Sequence, residues 1–453
     1  MGIRKIFRVL LIVVVTCISA VLILVLIGVA PIDRIPDRTP LYDAMVKSID
    51  TVSRPVGTPH GFFVGFAKTN MTPAYRTATA GYGKRMGALY SGIRDSIFVR
   101  SIVIDNGVQR VAIVSADLLI IPPTVTEILR RELPDVGFSL NNTYLGAVHS
   151  HNSIGNWGKG AMSFMYGQYE DSIVQFIADR IKYSIREATS DMIPASMKAG
   201  AIPLSNVVHN RLTKGGPVDS LLRVIEFQRI DSTKIAMTSF TAHATCLYSR
   251  DLQLSRDYPG RLVDLLEEGG YTFAMFLAGS VGSHTGSPPD QGEVCVDWMA
   301  TEVSQGFFEN HHAISLVHDS TLIMHRVPLL LAEPQAKILK NWRLRPWLFN
   351  LAFGDYPEYL TVLRVGNIVM MGTPCDFSGE FNRSFDEFAS NVGLRTMITS
   401  FNGGYIGYVT PDKYYDRDHY ETQLMNWYGL GNGEYMTKCM EQLLLTVADK
   451  NIP

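Results

Sequence analysis

The N-terminal apolar run is the clearest pattern in the chain. From Val9 to Ala30 no charged residue interrupts it, and Arg4, Lys5 and Arg8 stand just before it. At 1.5 Å per residue such a run spans roughly 33 Å, enough for the hydrocarbon core of a bilayer. The basic flank predicts an N-terminus on the cytoplasmic side and the remainder of the chain outside. The run is long for a signal peptide and lacks a good small-x-small exit. An uncleaved transmembrane anchor over residues 1–30 is therefore expected. Residues 31–60 follow as a proline-punctuated linker, with a short helix around Tyr42 to Val52.

Beyond Phe62 the pattern changes to alternating strands and helices. Phe98 to Asp105 and Arg110 to Ser115 read as a hairpin around Asn106-Gly107. Pro123 to Glu132 opens on a proline and reads as a helix. Thr143 to Val148 is a short strand, and Ser172 to Ala188 has helical apolar spacing. Leu221 to Gln228 and Lys234 to Thr241 form a second strand pair. Arg256 to Glu268 is helical, and Thr272 to Leu277 a buried strand. Tyr359 to Val365 and Asn367 to Met371 form another hairpin around Gly366. The alternation is irregular, which predicts a mixed α/β fold: β-sheets with flanking helices, in one large domain over residues 61–453 after a transmembrane helix.

Composition adds little beyond exclusions. The chain has 453 residues, 46% apolar and 19% charged, which fits a folded globular protein. The net charge of −2 supplies no basic field for nucleic acid. Five cysteines without a Cys-x-x-Cys pair argue against a thiolate zinc site. Cys17 lies in the apolar run, and one disulfide among Cys246, Cys295, Cys375 and Cys439 is compatible with the count.

Four stretches share one form, an apolar strand with polar residues at its mouth. Gly146 to Ser153 contains His149 and His151. On a strand, residues two apart face the same side, so both imidazoles would point into one pocket. Ser239 to Thr245 ends a strand at His243. Ile368 to Asp376 ends at Pro374, with an acid two residues on. Asn402 to Pro411 brings glycines and tyrosines, followed by His419-Tyr420-Glu421. Each stretch has an ordinary reading by itself: a surface pair, a core histidine, a helix cap, packing tyrosines. Together, two imidazoles, a carboxylate and a phenol oxygen make a catalytic zinc site with room for water.

Taken in order, these strings resemble the catalytic domain of the neutral, non-lysosomal ceramidases. The similarity rests on Val148 to Ser153 with Gly155, Asn210-Arg211, Ala242 to Thr245, Pro374 to Phe377, Gly407 to Pro411 and His419 to Glu421, with weaker echoes at Gly92 to Asp95 and Val114 to Asp117. The resemblance implies a single zinc held by His149, His243, Asp376 and Tyr408. It implies that His151, Arg211 and Tyr420 contact the substrate amide or its oxyanion. It offers Asp117 as a more distant supporting acid. It implies hydrolysis of an N-acyl sphingolipid to a sphingoid base and a fatty acid, a lipid substrate that suits the membrane tether read from the N-terminal run.

There are departures. Asp376 stands where the family has glutamate, and Glu380, inside Gly379-Glu380-Phe381, is a rival ligand. Gly282 to Thr285 replaces a family Gly-Asp-Val-Ser segment. The chain stops soon after the last matching string, so the family's C-terminal β-sandwich is not expected. Three other readings compete. A serine hydrolase could use Ser280 or Ser283, although neither sits in a nucleophile elbow. A two-metal site would need an acid where Ser153 stands. An anchored binding protein on a degenerate hydrolase fold would hold no metal.

Overall fold

The computed structural model describes residues 2–449, without the side chains of residues 3, 4 and 21–26. Helix α1, Gly2–Gly28, covers most of the apolar run. Arg4 and the run's last third thus lie partly outside the described side chains. Among the described residues no helix is long and apolar enough to cross a membrane, so the expected anchor is unsupported here. The run also does not stay helical to Ala30: Val29–Pro31 pairs as a strand with Leu344, Arg343 and Trp342. Within residues 31–60, α2 (Thr39–Ile49) starts with a proline in its first turn and buries Met45 and Ile49.

The rest is a four-layer α/β/β/α arrangement. The larger sheet contains β1 (Phe62–Asn70), β2 (Phe98–Asp105), β3 (Arg110–Ala116), β4 (Thr143–Ala147), β5 (Ile193–Pro203), β6 (Leu221–Arg229), β7 (Lys234–Phe240), β8 (Phe273–Ala278) and β9 (Ile314–Val317). Its order is β8-β7-β6-β5-β1-β2-β3-β4, with β9 also pairing β5. The pairs β3/β4 and β7/β8 are parallel; β2/β3 and β6/β7 are antiparallel hairpins. The smaller sheet contains β10 (Leu322–Pro328), β11 (Tyr359–Val365), β12 (Ile368–Gly372) and β13 (Arg395–Thr399), in that order.

Period-2 alternation assigns each strand face to a layer. In β2, Ile102 and Ile104 face the smaller sheet, where they join Met324, Leu363, Ile368 and Met370. Val99 and Val103 face the opposite way, toward α3 (Pro123–Glu132), α4 (Asp171–Ser190), α5 (Asp257–Glu268) and α6 (Glu293–Glu309). Helix α7 (Pro346–Phe353) lies apart, against Trp427. In the smaller sheet, Val362, Val369 and Met371 face α2, α8 (Asn382–Asn391) and α9 (Asn432–Leu445). The mixed α/β class and the hairpins match the sequence expectation. Strand β5 does not show in the sequence. Its segment has prolines and small residues without alternation, and it is a strand because β6, β1 and β9 all bond to it.

The larger sheet curls until its two edges meet. Ser115 Oγ donates to the Phe276 carbonyl (2.5 Å), and a Cβ on Gly146 would come within 2.4 Å of Leu277. This curl brings the C-terminal ends of β4 and β7 together, opposite the end of β12.

Candidate metal centre

The three strand ends carry the histidines and the acid. Strand β4 stops at Ala147, two residues before His149, which adopts a left-handed backbone (φ 65°). The two imidazoles of His149-Ser150-His151 therefore do not share a strand face as expected. A tight turn, not the pleat, points both inward. Gly81 lies so close to that turn that a Cβ would sit 2.2 Å from the His151 carbonyl oxygen. Arg85 holds the turn from outside, donating to the carbonyls of His151 (2.6 Å) and Asp251 (2.7 Å) and to Asn152 Oδ1 (2.9 Å). The His149 ring stacks on Phe401 with centroids 4.0 Å apart.

The imidazole Nε2 atoms form a tight triangle. His149 to His243 is 2.9 Å, His151 to His149 is 3.1 Å and His151 to His243 is 3.0 Å. His149 Nδ1 donates to the Leu119 carbonyl (2.7 Å), and His243 Nδ1 faces the Val281 carbonyl (3.3 Å). A neutral imidazole has one N–H. Those two rings spend theirs on backbone carbonyls, so their Nε2 atoms meet as bare lone pairs. Burial pushes the His149 pKa down to about 3 and holds His151 and His243 well below the usual histidine value, with Arg211 adding to the effect. Protonation therefore does not relieve the lone-pair contact near neutral pH. A cation bound among them would, and the three histidines could hold one: the separations are near the ~3.3 Å edge that bonds of about 2 Å subtend at tetrahedral angles.

Asp376 approaches the same point. Its Oδ1 lies 3.5 Å from His149 Nε2 and, though buried, has no hydrogen-bond partner. Tyr405 donates to its Oδ2 (2.8 Å). Burial raises the Asp376 pKa to about 7, against the lowering effects of Tyr405, Arg211 and Tyr408. The rival, Glu380, is placed elsewhere: Asn210 donates to it (2.7 Å) and Lys413 pairs with it (2.6 Å). Tyr408 sits opposite Asp376 in a two-residue parallel pairing, and its hydroxyl accepts from Arg211 Nη2 (3.2 Å). Arg211 Nε is also 2.9 Å from Glu421. Tyr420 meets Tyr408 edge-on, with centroids 5.7 Å apart.

The four expected ligands and the three expected substrate contacts all line one cavity of about 550 Å³. Its remaining wall is largely apolar, with Leu119, Ile120, Trp157, Met162, Met165 and Leu424 among the residues. Asp117 is not among them; it accepts from the Phe98 N–H (2.7 Å) at the end of β3. Tyr405, Arg85 and Glu421 were not assigned roles from the sequence. A tyrosine beside glycines and an arginine in a loop carry no local signal of the contacts they make.

The competing readings fare differently. Ser283 Oγ is 2.8 Å from His284 Nδ1, but His284 Nε2 accepts the Asp219 backbone N–H (2.9 Å). The ring proton therefore sits on Nδ1 and points at the serine, so this histidine cannot take the serine's proton. Ser280 is bonded to Asn382 (2.7 Å), with no histidine on it. Ser153 accepts from the Leu119 N–H (2.9 Å) and plays a structural part. The cysteines Cys246 and Cys295 are joined in a disulfide; Cys375 and Cys439 are buried and free.

Comparison with known proteins points to one family. The family described as neutral/alkaline non-lysosomal ceramidase, N-terminal, matches residues 62–297. That range holds His149, His151, Arg211 and His243; Asp376, Tyr408 and Tyr420 lie beyond it. The neutral ceramidase from Pseudomonas aeruginosa has a similar structure, with a TM-score of 0.70 and 18% identity over 87% of this chain and 74% of that chain. A ceramidase complexed with C2 gives a TM-score of 0.70 at 18% identity, over 86% of this chain and 74% of that one. No curated protein sequence matches. At that identity the structural likeness speaks for the fold, while the family match spans more than half of the chain. The chain belongs to the neutral/alkaline non-lysosomal ceramidase family.

Proposed function

We propose that the protein is a zinc-dependent amide hydrolase that cleaves an N-acyl sphingolipid of the ceramide type into a sphingoid base and a fatty acid. The observation that carries this reading is the triangle of Nε2 atoms, short of protons, on the wall of a largely apolar cavity. His149 and His243 are the firmest ligands, because a backbone carbonyl fixes each Nδ1–H and leaves Nε2 bare. Asp376 and Tyr408 complete the donor set. A bound cation supplies Lewis acidity and a nucleophile drawn from water near neutral pH.

The remaining residues manage protons and charge. His151 Nδ1 makes no close hydrogen bond among the described residues and faces the Gly81 backbone, so its tautomer is less firmly fixed than those of His149 and His243. Its Nε2 can take the proton released by the attacking water and return it to the leaving nitrogen. Arg211 and Tyr420 reach the cavity as donors for the developing oxyanion, each worth about 3 kcal/mol by the usual effect of such donors. The apolar wall accommodates an acyl chain.

A setting outside the cytoplasm belongs to the same proposal. The basic residues before the apolar N-terminal run support it, as does the Cys246–Cys295 disulfide, a bond that persists in oxidising compartments. The test is purification of the full chain, metal analysis, and hydrolysis of N-acylsphingosine with and without chelator. About one zinc per chain and chelator-sensitive cleavage are expected, both lost in His243→Ala. Retention of metal and activity in that variant would overturn the assignment, and a metal-free parent protein would favour a non-catalytic binding role.

A further inference from the structure

We infer that helix α7 and the lip of the cavity form a docking surface for a lipid bilayer, so that the cavity opens at the membrane surface. The inference rests on the lipid-substrate reading above. Helix α7, Pro-Trp-Leu-Phe-Asn-Leu-Ala-Phe, has no charged residue. A helix apolar on every side normally lies buried. Among the described residues one side of α7 is well covered: Phe349 and Phe353, four residues apart, pack on Trp427, a cavity wall residue (centroids 5.3 and 4.8 Å). Trp347 and Leu351, also four apart, are 51% and 68% exposed.

The cavity lip continues this apolar face. The Ala161 N–H donates to the Ala352 carbonyl (2.6 Å), which ties the short helix Met162–Tyr166, carrying Phe164, to α7. Phe164 is 72% exposed, and Leu424, on the cavity wall, is 55% exposed.

Two observations specify a bilayer as the occupant. First, α7 is bonded to the end of the apolar N-terminal helix: Trp347 Nε1 donates to the Ile27 carbonyl (3.0 Å), and the Arg345 N–H donates to the Gly28 carbonyl (2.9 Å). Two apolar segments thus meet at one edge of the molecule, beside the cavity mouth. A tryptophan at that junction suits the headgroup level of a membrane. Second, two basic residues lie on the cavity side of this face: Lys84 on the cavity wall and Lys159 beside Met162, with its ammonium over the Tyr169 ring, charges of the sign that anionic headgroups attract. A protein partner is the other outcome that the test separates.

The experiment uses the full chain reconstituted in phosphatidylcholine/phosphatidylglycerol vesicles. Brominated lipids should quench tryptophan fluorescence, and Trp347→Phe should remove at least half of that quenching. Leu351→Glu should lower hydrolysis of vesicle-embedded N-acylsphingosine about tenfold, while kcat on a short-chain, water-soluble N-acyl substrate stays unchanged. Unaltered quenching in Trp347→Phe together with unaltered vesicle hydrolysis in Leu351→Glu would overturn the docking surface. Equal loss on both substrates in Leu351→Glu would also overturn it, as would self-association of the parent protein in solution that Leu351→Glu abolishes. If no substrate is cleaved at all, the functional reading fails, and the quenching result still decides the docking surface.

Discussion

Asp376→Asn should make the metal-free protein more stable at alkaline pH while weakening its hold on metal. The carboxyl is buried, with one oxygen unpartnered and 3.5 Å from a bare imidazole nitrogen. Burial raises its pKa from 3.8 to about 7. The folded state therefore keeps a proton that the unfolded chain releases between about pH 4 and pH 7. Asp376 stabilises the metal-free fold most below pH 4, and that contribution is lost as pH rises to 7. At about 1.4 kcal/mol per pH unit, the difference amounts to about 4 kcal/mol at pH 8. Asparagine removes this cost, can still accept from Tyr405 and can donate to the imidazole lone pairs. Denaturant unfolding in chelator should show Asp376→Asn more stable than the parent by up to about 4 kcal/mol at pH 8. Near pH 4 the two should be equal. Zinc titration should show at least about tenfold weaker binding. A variant less stable than the parent at pH 8 in chelator, or one binding zinc unchanged, would refute the argument that this carboxylate is held in place for a cation.

Three further outcomes are expected. His151→Gln should keep close to one metal per chain and lose about a hundredfold or more in kcat; loss of metal would instead make His151 a ligand, as its 3.0–3.1 Å approach to the other imidazoles permits. Tyr405→Phe deletes the hydroxyl that donates to Asp376 Oδ2, and should destabilise the metal-free protein at pH 8 by about 2 kcal/mol, measured by denaturant unfolding. Glu358 is buried with its pKa raised to about 8, chiefly by burial, and its Oε2 unpartnered. Glu358→Gln should therefore raise the thermal midpoint at pH 9 and leave it unchanged below pH 4.5, by calorimetry.

Much of the site was readable residue by residue because its parts lie at strand ends. His149, His243 and Asp376 each follow an apolar strand closely, so the change from apolar to polar marks them locally. The stretch that holds Tyr408 and Tyr420 is marked by its glycines and tyrosines, but the separate roles of the two phenols came with the family resemblance. The choice between Asp376 and Glu380 was not local, since both follow β12 within a few residues. The fold favours Asp376, which lies 3.5 Å from His149 Nε2, whereas Glu380 is paired with Lys413 and bonded by Asn210. The expected strand geometry for His149 and His151 failed because the pairing of β4 with β3 ends at Ala147, after which the chain is free to turn.

By itself the sequence determined the periods: two for β2, β3, β11 and β12, helical for α3 and α4, and unbroken apolarity for the first helix. It also determined which residue types stand at the strand ends. Only the tertiary structure decided that β5 is a central strand, that Cys246 meets Cys295, and that four separated segments converge on one cavity. The physical reason is range. Alternation and capping act between residues a few positions apart, whereas strand order, sheet curl and the meeting of His149 with His243 depend on contacts between residues far apart in the chain.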